Sequence, residues 1–78
     1  MKLSDLPKKH NAIITKIKLE QSEITDRLFD FGLQVGQDVS CVETSPLGGP
    51  KAYRLSHGVF ALDHEIAHNV EVSQEAPS

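Results

Sequence analysis

The amino-acid sequence predicts a small, mainly β domain, an SH3-like β-barrel with a short N-terminal hook and one short α-helix. The chain has 78 residues, which is enough for one domain only. Short segments rich in β-branched residues recur between glycine and proline turns, and a single segment shows helical spacing of its apolar residues. Five short strands around one helix are typical of a small barrel. We predict one domain over residues 1–74 and a frayed tail over residues 75–78.

The N-terminal hook and the first strand are predicted from two apolar patterns. Leu3 and Leu6 form a short apolar hook that ends at Pro7. Residues 12–19 are rich in β-branched side chains, and the alternation of apolar and polar positions along them predicts a strand.

A helix is predicted over residues 23–31. Ser22 is a favourable N-cap, and acids occupy the first turn, where the helix dipole favours negative charge. Gly32 stands where a helix end requires a left-handed residue, and Leu33 can fold back onto the last turn. The apolar residues on one face of the helix are Ile24, Leu28 and Phe31.

The rest of the chain reads as short strands separated by turns. The segment Pro46–Pro50 has the composition of a loop, and His57-Gly58 supplies a tight hairpin turn. The predicted strands lie over residues 38–44, 52–56, 59–62 and 70–72.

Composition narrows the functional classes. The net charge is −3 and no basic residue follows Arg54, so we expect no nucleic-acid binding, which needs a basic face. Cys41 is the single cysteine and is expected in the core, so no internal disulfide forms. With no apolar run for a leader or a membrane span, we expect a cytosolic protein without membrane insertion. A core this small favours a binding or regulatory module over an enzyme.

One segment, His64-Glu65-Ile66-Ala67-His68, matches the H-E-x-x-H motif of zinc proteases. A catalytic zinc needs a third protein ligand, but the extended form of the motif would place it at the position of Gln74. We therefore expect a short helical turn between two strands, with exposed histidines and no catalytic residue. A bare surface metal site at His64 and His68 is the weaker alternative.

The order of motifs resembles one known family. The segment 27–36 runs from an arginine and a leucine into Gly32-Leu33 and ends at Gly36, and the loop Pro46–Pro50 and the segments 60–62, 65–67 and 70–72 follow at matching spacing. This pattern is similar to that of the FeoA family, small cytosolic accessory proteins of bacterial ferrous iron transport. It also occurs in the C-terminal SH3-like domain of diphtheria-toxin-repressor-type regulators.

The resemblance implies a function and a partner. It implies an SH3-like barrel with added N-terminal helices that docks on the large FeoB-type GTPase permease, at the inner face of the membrane, as a regulatory subunit without cofactor or catalysis. We expect the loop and the segment 28–33 to bind this partner, because prolines stiffen the loop and its glycines allow close approach. Whether Leu47 at the loop tip is exposed or tucks back onto the barrel stays open. The predicted partner-binding residues are Leu28, Leu33, Pro46, Leu47, Gly48, Gly49 and Pro50.

A second hypothesis keeps the fold and changes the function. In it the domain is a free-standing transition-metal sensor, with His64 and His68 as ligands and His57 or Cys41 completing the site. The sequence also departs from the family pattern at three positions: Val35 replaces a usual proline, Lys9 lies near a usual glycine, and Asp63 replaces a common arginine. We expect the first two to be neutral for the fold and the third to reverse a surface charge.

Overall fold

The computed structural model describes residues 1–74, which form one five-stranded antiparallel sheet with two short helices. The spatial order of the strands is β4-β3-β2-β1-β5. The longer helix has eight residues, and no helix within residues 1–74 is long and apolar enough to cross a membrane. The elements are β1 (Asn11–Ile17), α1 (Glu23–Asp30), β2 (Asp38–Glu43), β3 (Lys51–Leu55), β4 (Gly58–Leu62), α2 (His64–His68) and β5 (Val70–Ser73).

The five predicted strands and the predicted helix are confirmed, with shifts of one or two residues at most of their ends. The predicted closed barrel is not: β4 and β5 are the two edges of an open sheet and do not pair with each other. The physical reason lies at the edge of β5, where Lys2 bridges to Glu71 and Val72 N–H donates to the carbonyl of Met1 at 2.7 Å. The start of the chain thus occupies the edge that a closed barrel would need. The predicted frayed tail, residues 75–78, lies outside the described residues.

Helix α1 begins and ends as its sequence predicts. The Ser22 hydroxyl accepts a hydrogen bond from Thr25 N–H at 3.2 Å, and the Thr25 hydroxyl accepts one from Ser22 N–H at 2.7 Å, which is a capping box. At the other end Leu33 N–H donates to Leu28 O at 2.9 Å and Gly32 N–H donates to Phe29 O at 3.1 Å. These two bonds are a Schellman motif, and they bring Leu33 back onto Leu28.

Strand β1 changes its buried face partway along. Ala12 and Ile14 are buried at its start, whereas Ile17 and Leu19 pack against the core beyond it. The pairing of β1 with β5 shifts register between Ile14 and Lys16, and this bulge explains the change of face. The alternation over residues 12–19, which groups Ile13 with Ile17 and Leu19 on one face, is therefore wrong in its first half, where Ile14 is buried instead of Ile13. The strand also ends earlier than predicted.

The core forms between the sheet and the N-terminal hook, residues 3–6, whose first part is a 3-10 turn over Leu3–Asp5. Leu3 and Leu6 are fully buried. The hook is bonded to β3 twice: the Tyr53 hydroxyl donates to Leu3 O at 3.3 Å, and the Lys51 ammonium donates to Ser4 O at 2.7 Å. The predicted hook is therefore a structural part of the core.

Gly32 and Lys9 both have positive φ angles, but only Lys9 carries a side chain. Gly32 has φ +107°, and a Cβ there would overlap the Ser56 hydroxyl and lie 2.9 Å from Ser56 N. Lys9 has φ +71° and is the one non-glycine residue with a positive φ in residues 1–74. A left-handed backbone is unfavourable for any residue with a Cβ, so Lys9 is strained. The expectation that a lysine near the family's usual glycine is neutral for the fold is therefore wrong.

We predict that Gly32→Ala lowers the free energy of unfolding by about 2 kcal/mol, because the left-handed backbone alone costs about 1–2 kcal/mol. The new Cβ would also push the β3–β4 turn away from α1. In a domain of this size the melting temperature should fall by roughly 10 °C. Thermal unfolding followed by circular dichroism measures it, and an unchanged melting temperature would contradict the described helix end.

The matched control is Lys9→Gly, which makes the reverse change at the other left-handed residue. It removes about 1–2 kcal/mol of backbone strain and adds about 0.5–1 kcal/mol of unfolded-state entropy. We therefore expect an unchanged or slightly higher melting temperature for this variant, in contrast to the fall for Gly32→Ala.

Candidate functional site

The loop between β2 and β3 presents an apolar side chain at its tip. Ser45 to Gly48 form a β-turn in which Gly48 N–H donates to Ser45 O at 3.3 Å, with Pro46 at the position that proline favours. Leu47 follows Pro46 and its side chain is 96% exposed. Of the two alternatives left open by the sequence, the exposed tip is the one observed.

A small pocket of about 150 Å³ lies where this loop meets the hook and α2. Its walls come from the loop, the hook, β3, the end of β4 and α2, so no single element makes it. The lining residues are Ser4, Gly48, Gly49, Lys51, Tyr53, Leu62, His64 and Ala67.

The floor of the pocket is held by Tyr53, which is fully buried. Burial, with smaller contributions from the neighbouring Cys41 and Asp5, raises the pKa of the Tyr53 hydroxyl to about 12. The phenol is therefore neutral around neutral pH, and its hydroxyl donates a hydrogen bond to Leu3 O.

Folding stability should fall as pH rises above about 10, where the Tyr53 hydroxyl begins to lose its proton in the unfolded chain and retains it in the folded one.

A wider and shallower groove of about 410 Å³ runs across β2 and β3. Most of its lining residues are exposed and polar, among them Asp38 and Arg54, and the core residues Val39 and Leu55 also line it. The groove was not predicted from the sequence, because its lining residues form no recognisable motif.

Leu28 and Leu33 do not belong to the exposed surface. Their side chains are 7% and 1% exposed and pack together through the Schellman motif, so the predicted direct contact with a partner is not available to them. The exposed apolar residues of this segment are Phe29 and Phe31, at 42% and 36%. Phe31 stacks on Phe60 with ring centroids 4.3 Å apart. Phe29 follows the inward-facing Leu28 by one residue, so its side chain points about 100° away from that of Leu28. This spacing could have identified Phe29 as an exposed residue from the sequence.

The H-E-x-x-H segment is the five-residue helix α2, as predicted, although the fold was expected to hold only one α-helix. Its Asp63 is the N-cap and accepts from Ile66 N–H at 3.0 Å, so this acid has a local role as well as a surface charge. The pattern of an Asp before a helical segment is a capping signal that sequence analysis passed over. Glu65 lies in the first turn and is exposed.

The two histidines of α2 lie on the same side of the helix. Their rings are stacked with centroids 5.4 Å apart. Both are exposed, whereas His57 lies in the β3–β4 turn and Cys41 is fully buried, as expected for a core residue. Within residues 1–74 no third His, Cys, Asp or Glu joins them into a set of metal ligands. The completed metal site of the second hypothesis is therefore not assembled.

By its fold the protein is a small antiparallel β domain of the SH3-like type, with an exposed loop beside a pocket. The sequence model of the FeoA domain matches residues 1–74. The chain therefore belongs to the FeoA family, as its motifs suggested. Among curated proteins none matches the sequence significantly.

Solved structures of FeoA proteins superpose closely. The FeoA protein from Chlorobium tepidum is 28% identical with a TM-score of 0.86, and the match covers 97% of this chain and 71% of that one. Stenotrophomonas maltophilia FeoA complexed with zinc, described as a prokaryotic SH3 domain protein, is 31% identical with a TM-score of 0.78 and coverage of 96% and 95%. Iron(II) transport protein A from Clostridium thermocellum is 27% identical with a TM-score of 0.84 and 95% coverage of this chain, which spans 45% of that longer chain.

A manganese-dependent transcriptional repressor shares the fold alone. It is 9% identical with a TM-score of 0.81, and the match covers 96% of this chain and 41% of the repressor. The fold therefore recurs as part of a longer chain.

We predict that the protein loaded with zinc does not cleave unfolded casein. The two α2 histidines are two ligands on an open surface, and a zinc-bound water poised for hydrolysis needs three protein ligands in a protected site. The assay compares the native chain with Glu65→Gln at equal zinc. Cleavage by the native chain that disappears in the variant would show that Glu65 is a catalytic base.

Proposed function

We propose that this protein is an accessory subunit of ferrous iron uptake that acts by binding the cytosolic part of a FeoB-type GTPase permease. It works from the cytosolic side, recruited to the membrane by its partner, and catalyses no reaction itself. Membership of the FeoA family supports this proposal. Two of the similar structures are described as an iron(II) transport protein and as a proposed activating factor of ferrous iron transport.

The observation that carries the proposal is the exposed Leu47 on a stiffened loop. A leucine left 96% in water gains nothing for folding, whereas covering it with a partner removes its apolar surface from solvent. Pro46 and Pro50 restrict the loop before binding, so less conformational entropy is lost when a partner docks. We propose that Pro46, Leu47, Gly48, Gly49 and Pro50 form the partner surface, while Leu28 and Leu33 are buried residues of the core.

A second candidate function is direct binding of a transition metal. The stacked rings of His64 and His68 are the observation that favours it, because histidines four residues apart on a helix can hold one ion together. A related FeoA protein is complexed with zinc. Two protein ligands on an exposed helix leave the remaining coordination positions to water or to a partner.

We predict that Leu47→Asp weakens association with the permease's cytosolic domain by at least about tenfold, because it would place an unpaired charge in an apolar contact. The circular dichroism spectrum and melting temperature should not change, since the side chain contacts solvent only. Affinity is measured by titration calorimetry, with and without guanine nucleotide.

The matched control is Ile24→Asp, which makes the same substitution at another exposed apolar residue, 62% exposed in the first turn of α1. An acid is favourable there, so the fold is preserved, and we expect full affinity. Equal loss of affinity in both variants, or none in either, would contradict the assignment of the loop.

For the second candidate, we predict that zinc binding in the micromolar range disappears when both α2 histidines are replaced, His64→Ala with His68→Ala. His57→Ala, an exposed histidine in the β3–β4 turn, is the control and should bind as the native chain does. Calorimetry with zinc measures all three. Binding that survives the double replacement would place the metal elsewhere.

A further inference from the structure

The pocket beside the loop is lined by basic residues and by no acidic residue. Of its eight lining residues, Lys51 and His64 are basic and none is acidic, in a chain whose net charge is −3. Lys51 is half-buried and bonded to Ser4 O, which holds its ammonium group at the wall. An ammonium carries three donors, so this bond leaves others for a ligand. The pocket therefore suits an anionic group.

One of the residues that line the pocket carries a buried hydroxyl without a hydrogen-bond partner. Ser4 is 6% exposed, and its Oγ makes no hydrogen bond within residues 1–74. Buried polar groups are nearly always paired in folded proteins, so an unpaired one calls for an explanation. An anionic oxygen in the pocket would accept from this hydroxyl as well as from Lys51. Tyr53 is not available for this purpose, because its hydroxyl already donates to Leu3 O.

The size and position of the pocket limit what it takes. At about 150 Å³ it is smaller than sites for small-molecule ligands, which span about 300–1,000 Å³. It has room for the end of one side chain. Gly48 and Gly49 form part of its wall, directly after Leu47 in the chain, so a partner that covers Leu47 lies next to the pocket.

We propose that this pocket receives the carboxylate of an Asp or Glu side chain of the partner protein, bound by Lys51, the Ser4 hydroxyl and His64. The inference rests on the proposed function, since it names the chemistry of the partner segment that docks on the loop. An apolar residue of that segment contacts Leu47, and the acidic residue beside it enters the pocket.

The pocket is tested first with acetate, the simplest carboxylate. Titrated into the full chain labelled with nitrogen-15, acetate should shift the amides of Ser4, Gly48, Gly49 and Lys51 in a saturable way. Chloride at the same ionic strength should not. Absence of such shifts, or equal shifts with chloride, would overturn the proposal.

Three variants locate the contact. Ser4→Ala removes a hydroxyl that bonds to no other described residue, so the fold is retained while acetate affinity falls severalfold. Lys51→Met removes the charge and should weaken acetate by about tenfold. Arg54→Met is the control, since it removes one positive charge from the same strand at an exposed position, and its acetate affinity should equal that of the native chain. Full acetate affinity in Ser4→Ala and Lys51→Met would overturn the proposal.

The permease domain then distinguishes the source of the carboxylate. Ser4→Ala and Lys51→Met should weaken its binding by the same factors as for acetate. Leu47→Ala removes apolar surface without adding a charge beside the pocket, so it should weaken permease binding and leave acetate binding unchanged. If acetate binds but both pocket variants keep full affinity for the permease, the pocket takes free carboxylates and the assignment to the partner is wrong. If the native chain binds acetate but not the permease, the proposed function fails, and the partner assignment with it.

Discussion

The packing of the N-terminal hook against the sheet is the constraint on which the rest of the structure depends. Leu3 and Leu6 are fully buried, and the hook is fixed by the hydrogen bond from Tyr53 and the one from Lys51. The residues just before it pair with β5 and keep the sheet open. An open five-stranded sheet would leave an apolar face in water, and the hook covers that face together with Leu28, Leu33 and Ala67.

The packing of the hook also shapes the pocket beside the loop. The hook, the start of β3, the end of β4 and α2 together make the pocket, and the loop forms its rim. The far side of the domain is fixed separately, where His57 N–H donates to Phe31 O at 3.2 Å and Gly32 lies against Ser56. Because the core is complete without Leu47, this residue is free to face solvent.

Local chemistry made most of the fold predictable. The Ser22 cap, the Gly32 helix end and the proline loop each follow from short-range preferences, and the structure confirms all three. Features set by distant contacts were not predictable. The bulge near Ile14 depends on β5, and the open sheet depends on Lys2 at the other end of the chain.

The candidate site divides in the same way. The loop was predictable because proline and glycine are typical of loops, and Leu47 between them could be identified as a candidate contact residue. The burial of Leu28 and Leu33 was not predicted, because the family motif does not distinguish residues needed for folding from residues needed for binding. The pocket could not be foreseen, since Ser4, Lys51 and His64 meet only after the hook, β3 and α2 have packed.

The most direct test of the central claim is amide hydrogen exchange of the protein alone and in complex with the permease's cytosolic domain. The account predicts new protection at Leu47, Gly48 and Gly49, and little change at Val59 and Ala61 on the β4 edge of the sheet. Protection confined to β4, with the loop exchanging as fast as in the free protein, would contradict it: the partner would then add a strand to the open sheet instead of docking on the loop.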